Sequence, residues 1–252
     1  MTKISAVIIT FNEEENIGRC IDSLKSIVDE IIVVDSRSTD NTASICKEKG
    51  AYLVETDWMG YSATKNYANS LAVYPYILSI DADEVLSETL QQSVLTVKKN
   101  PLFDAYYINR MTNYCGHWLK HLWYPDKKVR LFQKEKAEWS GAPVHEELIF
   151  KSKSRIGLLK GDLLHYSFPT IDKHFATSRK YSIIKAQQSL EKGEKVTFFK
   201  VLFAPISKFI SEYLFKKGFM DGYYGFVACS VSAMAAFVKY IRLHELNRNT
   251  RS

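Results

Sequence analysis

The sequence predicts an α/β protein built on a mostly parallel, helix-flanked sheet and followed by a helical C-terminal extension. Strand-like and helix-like patterns alternate through the first half, the signature of a parallel sheet covered on both faces. The 252 residues, 46% hydrophobic and 25% charged, suffice for one sizeable α/β domain plus an appendage. From about Ile171 onward the pattern is helical, which divides the chain into a sheet domain over 1–170 and an extension over 171–252.

Ile4 to Thr10 is a nearly continuous β-branched run and reads as a buried strand. Asn12 is placed to cap a following helix, Glu15 stands where a capping-box partner would, and Ile17, Ile21, Leu24 and Val28 recur at helical spacing. Glu30 to Asp35 (EIIVVD) is a second buried strand, and the polar turn after it feeds a short helix ending near Gly50. Ala51 to Glu55 gives a third strand and Ala63 to Leu71 a polar helix. Tyr76 to Ile80 is a fourth strand that stops at Asp81-Ala82-Asp83-Glu84. Beyond Leu86 a helix runs to about Lys99, and strand-like pieces at Ala105 to Ile108 and Val129 to Phe132 enclose a loop rich in Tyr, His and Trp. Ligands of open α/β sheets gather at the carboxyl ends of the strands. Thr10 to Glu13, Asp35 to Asp40 and Asp81 to Glu84 are therefore expected to converge in one crevice.

The net charge of +6 conceals an asymmetry. Residues 1–150 carry 16 Lys and Arg against 21 Asp and Glu, or −5; residues 151–252 carry 18 against 7, or +11. Such a field suits an anionic membrane surface or nucleic acid. The apolar stretches Phe198 to Phe215 and Gly222 to Val238 lie in the basic part. The second is 17 residues without a charge, short of the roughly 20 that a spanning helix needs. Lys208, Glu212, Lys216 and Lys217 around the first fit an interfacial helix, and ordinary core packing is the bland alternative. No basic leader with an apolar h-region opens the chain, so the expected location is cytoplasmic, peripheral on the inner face of the cytoplasmic membrane. Cys20, Cys46, Cys115 and Cys229 form no C-x-x-C pair and read as reduced thiols. His117 and His121 stand four apart without H-E-x-x-H context, a weak zinc signal.

The sharpest chemical feature is Asp81-Ala82-Asp83 directly after a buried strand. Side chains two apart point to one face of an extended chain, and hard Mg²⁺ or Mn²⁺ prefers carboxylate and phosphate oxygens. Such a pair can hold a metal against a diphosphate, although acids also serve as helix caps at this position.

The stretches VIITFNEEENIGRCIDSL, EIIVVDSRSTDNT, ATKNYAN and ILSIDADE resemble, in order and spacing, the donor half of family 2 glycosyltransferases, whose fold is the Rossmann-like GT-A type. VRLFQKEKAEWSGAPVHEEL and FKKGFMDGYYGF resemble a narrower branch, the small lipopolysaccharide inner-core β-glucosyltransferases. The resemblance implies a UDP-sugar donor, a glycolipid acceptor, no nucleic-acid partner and a Mg²⁺ or Mn²⁺ cofactor. By position it implies that Thr10, Asn12 and Glu13 bound the nucleoside pocket, that Asp35 accepts from the uracil imide, and that Ser38 binds in a minor way. Lys65 would face the diphosphate, Asp81 the ribose or sugar hydroxyls, Asp83 the metal, and Arg130 the phosphates. Glu146 would be the base, with Glu147 and then His145 as competitors. Arg37 departs from the family pattern and is left out of the site; Trp139 is a candidate for stacking on a sugar.

The chemistry agrees with those roles. A bound divalent ion stabilises a departing diphosphate, and a carboxylate that takes the acceptor's proton contributes about 10²- to 10⁴-fold in rate. Rivals fare worse. The turn after the first strand is Thr-Phe-Asn-Glu-Glu rather than G-x-G-x-x-G, and no P-loop occurs. A nucleotidyltransferase would use a similar sheet and metal, whereas a basic RNA-binding or membrane-scaffolding protein leaves the three acidic strand ends unexplained.

Overall fold

The structure is a computed structural model that describes residues 1–142 and 145–249, the side chains of Ala142, His145 and Glu146 excepted. It contains two compact units, one of residues 1–111 and 126–166 and one of 112–125 and 167–252. The aromatic segment 112–125, which the sequence suggests is a loop of the sheet domain, thus belongs to the helical unit.

The chain begins with β1 (Ile4–Thr10), α1 (Ile17–Leu24), β2 (Glu30–Asp35), α2 (Thr42–Glu48), β3 (Tyr52–Glu55), α3 (Tyr61–Leu71) and β4 (Tyr76–Asp81). Next come β5 (Glu84–Leu86), α4 (Glu88–Lys99), β6 (Ala105–Tyr114), β7 (His117–Trp118), β8 (Asp126–Gln133), β9 (Ala137–Ala142), β10 (His145–Phe150) and β11 (Ile156–Phe168). The main sheet runs β3-β2-β1-β4-β8-β6-β11-β5, with β7 paired to the end of β6. Its first four strands are parallel; β8 then joins β4 antiparallel, β6 joins β8 likewise, and β5 pairs antiparallel with β11. Strands β9 and β10 form a separate hairpin.

Burial on both faces explains the continuous apolar runs of β1, β2 and β4. On one face Ile4, Ala6, Ile8, Val33, Leu78 and Ile80 pack against Ile17, Ile21 and Leu24 of α1 and Leu90 and Val94 of α4. On the other, Val7, Ile32, Val34 and Ile77 meet Ala68 of α3 and Trp139 of the hairpin. Each such fully buried aliphatic side chain contributes about 1.5–3 kcal/mol. Ser87 caps α4, its Oγ accepting from the Leu90 and Asp162 N–H groups. That places β11 so near the start of α4 that a Cβ on Gly161, at φ +91°, would stand 2.3 Å from the Leu90 nitrogen; only glycine fits there.

Asn12 is not a helix cap. Helix α1 starts only at Ile17, behind Asn16, and Asn12 is left-handed at φ 52°. Its side chain joins two loops instead, as described below, so the Glu15 capping box does not form.

The helical unit comprises α5 (Ile171–Glu191), α6 (Phe198–Ile210), a π-helical turn over Ser211–Phe215, and α7 (Gly222–Asn249). Its core joins Tyr114, Leu119 and Leu122 to Ala228 and Cys229, with Trp123, Phe168, Phe209 and Tyr213 around them. Asp221 holds the aromatic segment by accepting the N–H groups of Lys120, His121 and Leu122 at 2.9, 3.2 and 2.7 Å. His121 also turns Nδ1 to Asp221 at 3.0 Å, while His117 stacks on Tyr224 at 3.9 Å. The two histidines therefore do not share a helical face. All four cysteines are free thiols.

Candidate active site

Thr10 and Asp35 are register partners at the carboxyl ends of β1 and β2, and the Ser36 N–H donates to the Thr10 carbonyl at 2.9 Å. The loops beyond them are laced together. The Asn12 N–H donates to Ser38 Oγ at 2.8 Å, and Asn12 Oδ1 accepts from the Thr39 N–H at 2.8 Å. Ser38 donates its hydroxyl to Asp35 Oδ1 at 2.5 Å and its N–H to Oδ2 at 2.7 Å. The Glu13 N–H donates to Thr42 Oγ1 at 2.8 Å, while Glu13 Oε2 accepts from Asn16 at 2.6 Å. Thr10, Asn12, Glu13, Asp35 and Ser38 thus form one crosslinked rim, in which Ser38 ties the turn. Thr10 Oγ1 and Ser36 Oγ are buried beside it with no hydrogen-bond partner among the described residues, a state that costs about 1–3 kcal/mol per group. Arg37 points away, exposed and paired with Asp57 at 2.7 Å.

Asp81 closes β4 opposite Ile9 of β1. Lys65 Nζ lies 3.1 Å from Asp81 Oδ1 and 4.6 Å from the Trp139 ring centroid. On the other side Arg130 Nη2 reaches Asp81 Oδ2 at 2.5 Å and Glu84 Oε1 at 2.6 Å. The fully buried Glu84 also accepts the Asp81 N–H at 2.9 Å and faces Arg110 at 3.4 Å, and Arg110 continues to Asp126 at 2.7 Å. Charges alternate along this chain, so each buried ion has counter-ions. Burial alone would raise the Asp81 carboxyl, but Arg130 and Lys65 hold it well below the usual carboxylate range. Burial works against the Arg130 cation too, yet Asp81 and Glu84 keep it charged beyond its ordinary range. The described contacts of Arg130 are carboxylates, and it is 4% exposed. Lys65 is buried as well.

Asp83 has a different neighbour. His165 Nε2 stands 3.1 Å from Asp83 Oδ2, and the Tyr166 N–H donates to the Asp83 carbonyl at 2.9 Å. The β5–β11 pairing sets this up by placing His165 opposite Glu84. Burial raises the Asp83 carboxyl, but His165 outweighs it and holds the group below its ordinary value. Among the described residues no three His, Cys, Asp or Glu side chains converge on one point, so a closed zinc centre is not formed by them. One carboxylate oxygen and one imidazole nitrogen fit a Mn²⁺-type ion better than Mg²⁺, which prefers oxygen alone; phosphate oxygens and water would complete the shell. His165 and Arg110 escaped the sequence reading, in which Glu84 figures only as part of the acidic strand end. The only signal for His165 was a histidine in the run LLHYSF, without a partner strand to aim it.

The hairpin stands against α3. Asn66 Nδ2 donates to the Trp139 carbonyl at 2.7 Å, and Asn66 Oδ1 accepts the Trp139 N–H at 2.9 Å. Trp139 is core, 7% exposed and packed on Phe132, so it is not a sugar-stacking platform. Across the hairpin Trp139 pairs with Leu148, Ser140 with Glu147 and Gly141 with Glu146. Glu147 is exposed; the side chains of Glu146 and His145 lie outside the described residues.

Residues 5–154 match the family described as Glycosyl transferase family 2. An uncharacterized glycosyltransferase of Rickettsia typhi is 34% identical over 263 residues, covering 100% of this chain and 90% of the relative. The lipopolysaccharide core biosynthesis glycosyltransferase LpsC of Rhizobium meliloti is 28% identical over 253 residues, covering 96% of this chain and 92% of its own. Among solved structures, S. aureus TarS 1-349 superposes with a TM-score of 0.46 at 15% identity, covering 99% of this chain and 92% of that one.

Proposed function

Starting from the fact that this chain belongs to glycosyl transferase family 2, we propose that it transfers a hexose, most simply glucose, from a UDP-sugar to a glycolipid such as a lipopolysaccharide inner core, with inversion at the anomeric carbon. The observation that carries this reading is the pairing of two carboxylates at one strand end with different partners, Asp81 with Lys65 and Arg130, and Asp83 with His165. The similarity to LpsC supports the class of acceptor. Another cell-envelope lipid, such as a polyprenyl phosphate, is the alternative acceptor.

In this reading the Thr10–Ser38 rim receives the nucleoside, and the two buried hydroxyls of Thr10 and Ser36 gain partners as the loops adjust. Asp81, fixed by two cations, accepts from ribose or sugar hydroxyls. Asp83 and His165 would hold Mg²⁺ or Mn²⁺, which supplies positive charge against the leaving diphosphate. Glu146 takes the proton of the acceptor hydroxyl. In β10, Leu148 and Phe150 pack on the core while Glu147 and Ile149 are exposed. The protein works from the cytoplasmic side, where its basic helical unit meets the membrane.

The deciding experiment is a screen of nucleotide sugars with Mn²⁺, reading UDP release. UDP-glucose is expected to turn over, and silence with every sugar nucleotide would refute the proposal. Protection from heat by UDP with Mn²⁺, expected through ligand linkage, separates a donor site from a scaffold.

A further inference from the structure

None of the 13 residues of α6 is buried. Phe198, Phe199 and Phe203 are 73%, 70% and 55% exposed, and Leu202, Ile206 and Ile210 are exposed beside them. At about 100° per residue these six fall within about 140° of the helix circumference, an uncharged apolar stripe. The π-helical turn extends the apolar surface through Leu214 and Phe215. The surroundings are basic: Lys192 and Lys195 precede the helix, Lys200 and Lys208 flank the stripe, and Lys216 and Lys217 follow. One of the two acids between 192 and 217, Glu212, is buried and neutralised by Lys208 at 2.9 Å and Lys216 at 3.8 Å. What solvent meets there is apolar surface within a largely cationic collar.

We propose that α6 is an in-plane anchor for a bilayer rich in anionic phospholipid, its phenylalanine stripe at the acyl boundary and its lysines in the headgroup layer. A helix of 13 residues is only about 20 Å long, too short for a hydrocarbon core of about 30 Å. Aromatic and aliphatic side chains on one face with lysine on the other are the composition of interfacial helices, and the +11 of residues 151–252 complements a negative leaflet.

The alternative, a spanning α7, meets an obstacle in its own unit. The helical stretch Gly218–Asn249 is long and apolar enough to cross a membrane by composition, with a mean hydropathy of 1.5. But α5 is bound along it: Ser182 Oγ donates to the Ala235 carbonyl at 2.8 Å, and Asn247 Nδ2 reaches the Glu194 carbonyl just beyond α5 at 3.3 Å. Ile183 of α5 and Val238 and Ile241 of α7 line one cleft with Arg179 and Arg242. Helix α5 exposes Asp172, Lys173, Arg179, Lys180 and Lys185. Carrying α7 across the bilayer would drag those charges into hydrocarbon or strip α5 away.

This inference deepens the proposed function by naming where a lipid-borne acceptor is met, and it rests on that reading for its purpose only. The test is flotation of the full-length protein with vesicles of phosphatidylcholine, alone or mixed with phosphatidylglycerol, beside a separate assay of UDP release in detergent. The wild type should float with the anionic vesicles, lose binding as salt is raised, and come off in alkaline carbonate. Phe199→Glu with Phe203→Glu should weaken flotation about tenfold. Lys195→Glu with Lys200→Glu should weaken it and flatten the salt dependence. Both double variants should keep wild-type UDP release in detergent, which shows that they fold; Phe199→Ser with Phe203→Ser replaces the glutamate pair if it does not. Flotation unchanged in the phenylalanine variants, or absent in the wild type, overturns the anchor, and resistance to carbonate assigns the role to a spanning α7. Absent UDP release with intact flotation would instead refute the donor reading and leave the anchor standing.

Discussion

Asp81 is bracketed by Lys65 and Arg130, whereas Asp83 faces one imidazole, so two carboxylates that the sequence presents as a pair differ in what they leave available. Asp83→Asn should abolish UDP release while circular dichroism and unfolding stay near wild type; activity at the wild-type rate would remove Asp83 from the metal site. Arg130 should behave in the opposite way. Its guanidinium separates Asp81 from the fully buried Glu84, and Arg130→Met leaves Asp81 with Lys65 alone and Glu84 with Arg110 alone. Denaturant unfolding should register a loss of about 3–5 kcal/mol. The Asp81 pairs also carry a pH signature. Because the folded carboxyl titrates below the unfolded one, its contribution is complete above about pH 4 and is lost as acid moves from there toward the lowered folded value. The acidic motif itself could be read from the sequence, since a buried run stops on it. Arg110 and His165 could not, nor could the partners of Glu84, because β8, β6 and β11 bring Arg130, Arg110 and His165 to the end of β4 and to β5.

Strands β1, β2 and β4 were legible because burial on both faces writes them as unbroken apolar runs. The hairpin β9–β10 and the 13-residue β11 were not. Strand β11 mixes Lys160, Gly161 and Asp162 into its middle and pairs with a strand of only three residues, so it exists by virtue of tertiary partners rather than local pattern. The first helix shows the reverse error: Asn12 and Glu15 have capping chemistry, but the chain needs four more residues to cross from β1, and Asn12 is held by Ser38 and Thr39. The hairpin depends on Asn66, whose amide supplies both hydrogen bonds that a neighbouring strand would give Trp139. Asn66→Ala should cost about 1–3 kcal/mol for two backbone groups left without it. Because the hairpin carries Glu146, kcat should fall more than the KM for donor rises, and amide exchange should quicken in 137–150. A variant with raised donor KM and unchanged kcat would place Asn66 in donor binding instead.

Over the whole chain, the charge asymmetry and the helical C-terminal region were visible from composition, but the membership of 112–125 in the helical unit was not. That segment has no periodicity of its own, and its place is decided by Asp221, a hundred residues away in sequence. Its last buried consequence is testable by pH. Tyr114 holds the ring of His174 at 2.9 Å within a shell of Phe168 and Trp123. Burial pushes the imidazole down to about 4, while in an unfolded chain it titrates near about 6.5. Acid therefore protonates the unfolded state first. The unit keeps its full stability above about pH 6.5 and loses it as pH falls toward about 4, a window that lies above the one in which Asp81 titrates. Thermal unfolding between about pH 7 and pH 5 should show the midpoint falling in the wild type and falling less in His174→Asn, which keeps a polar group toward Tyr114. An equal fall in both would mean that the acid sensitivity lies elsewhere and that the aromatic shell tolerates a charged ring.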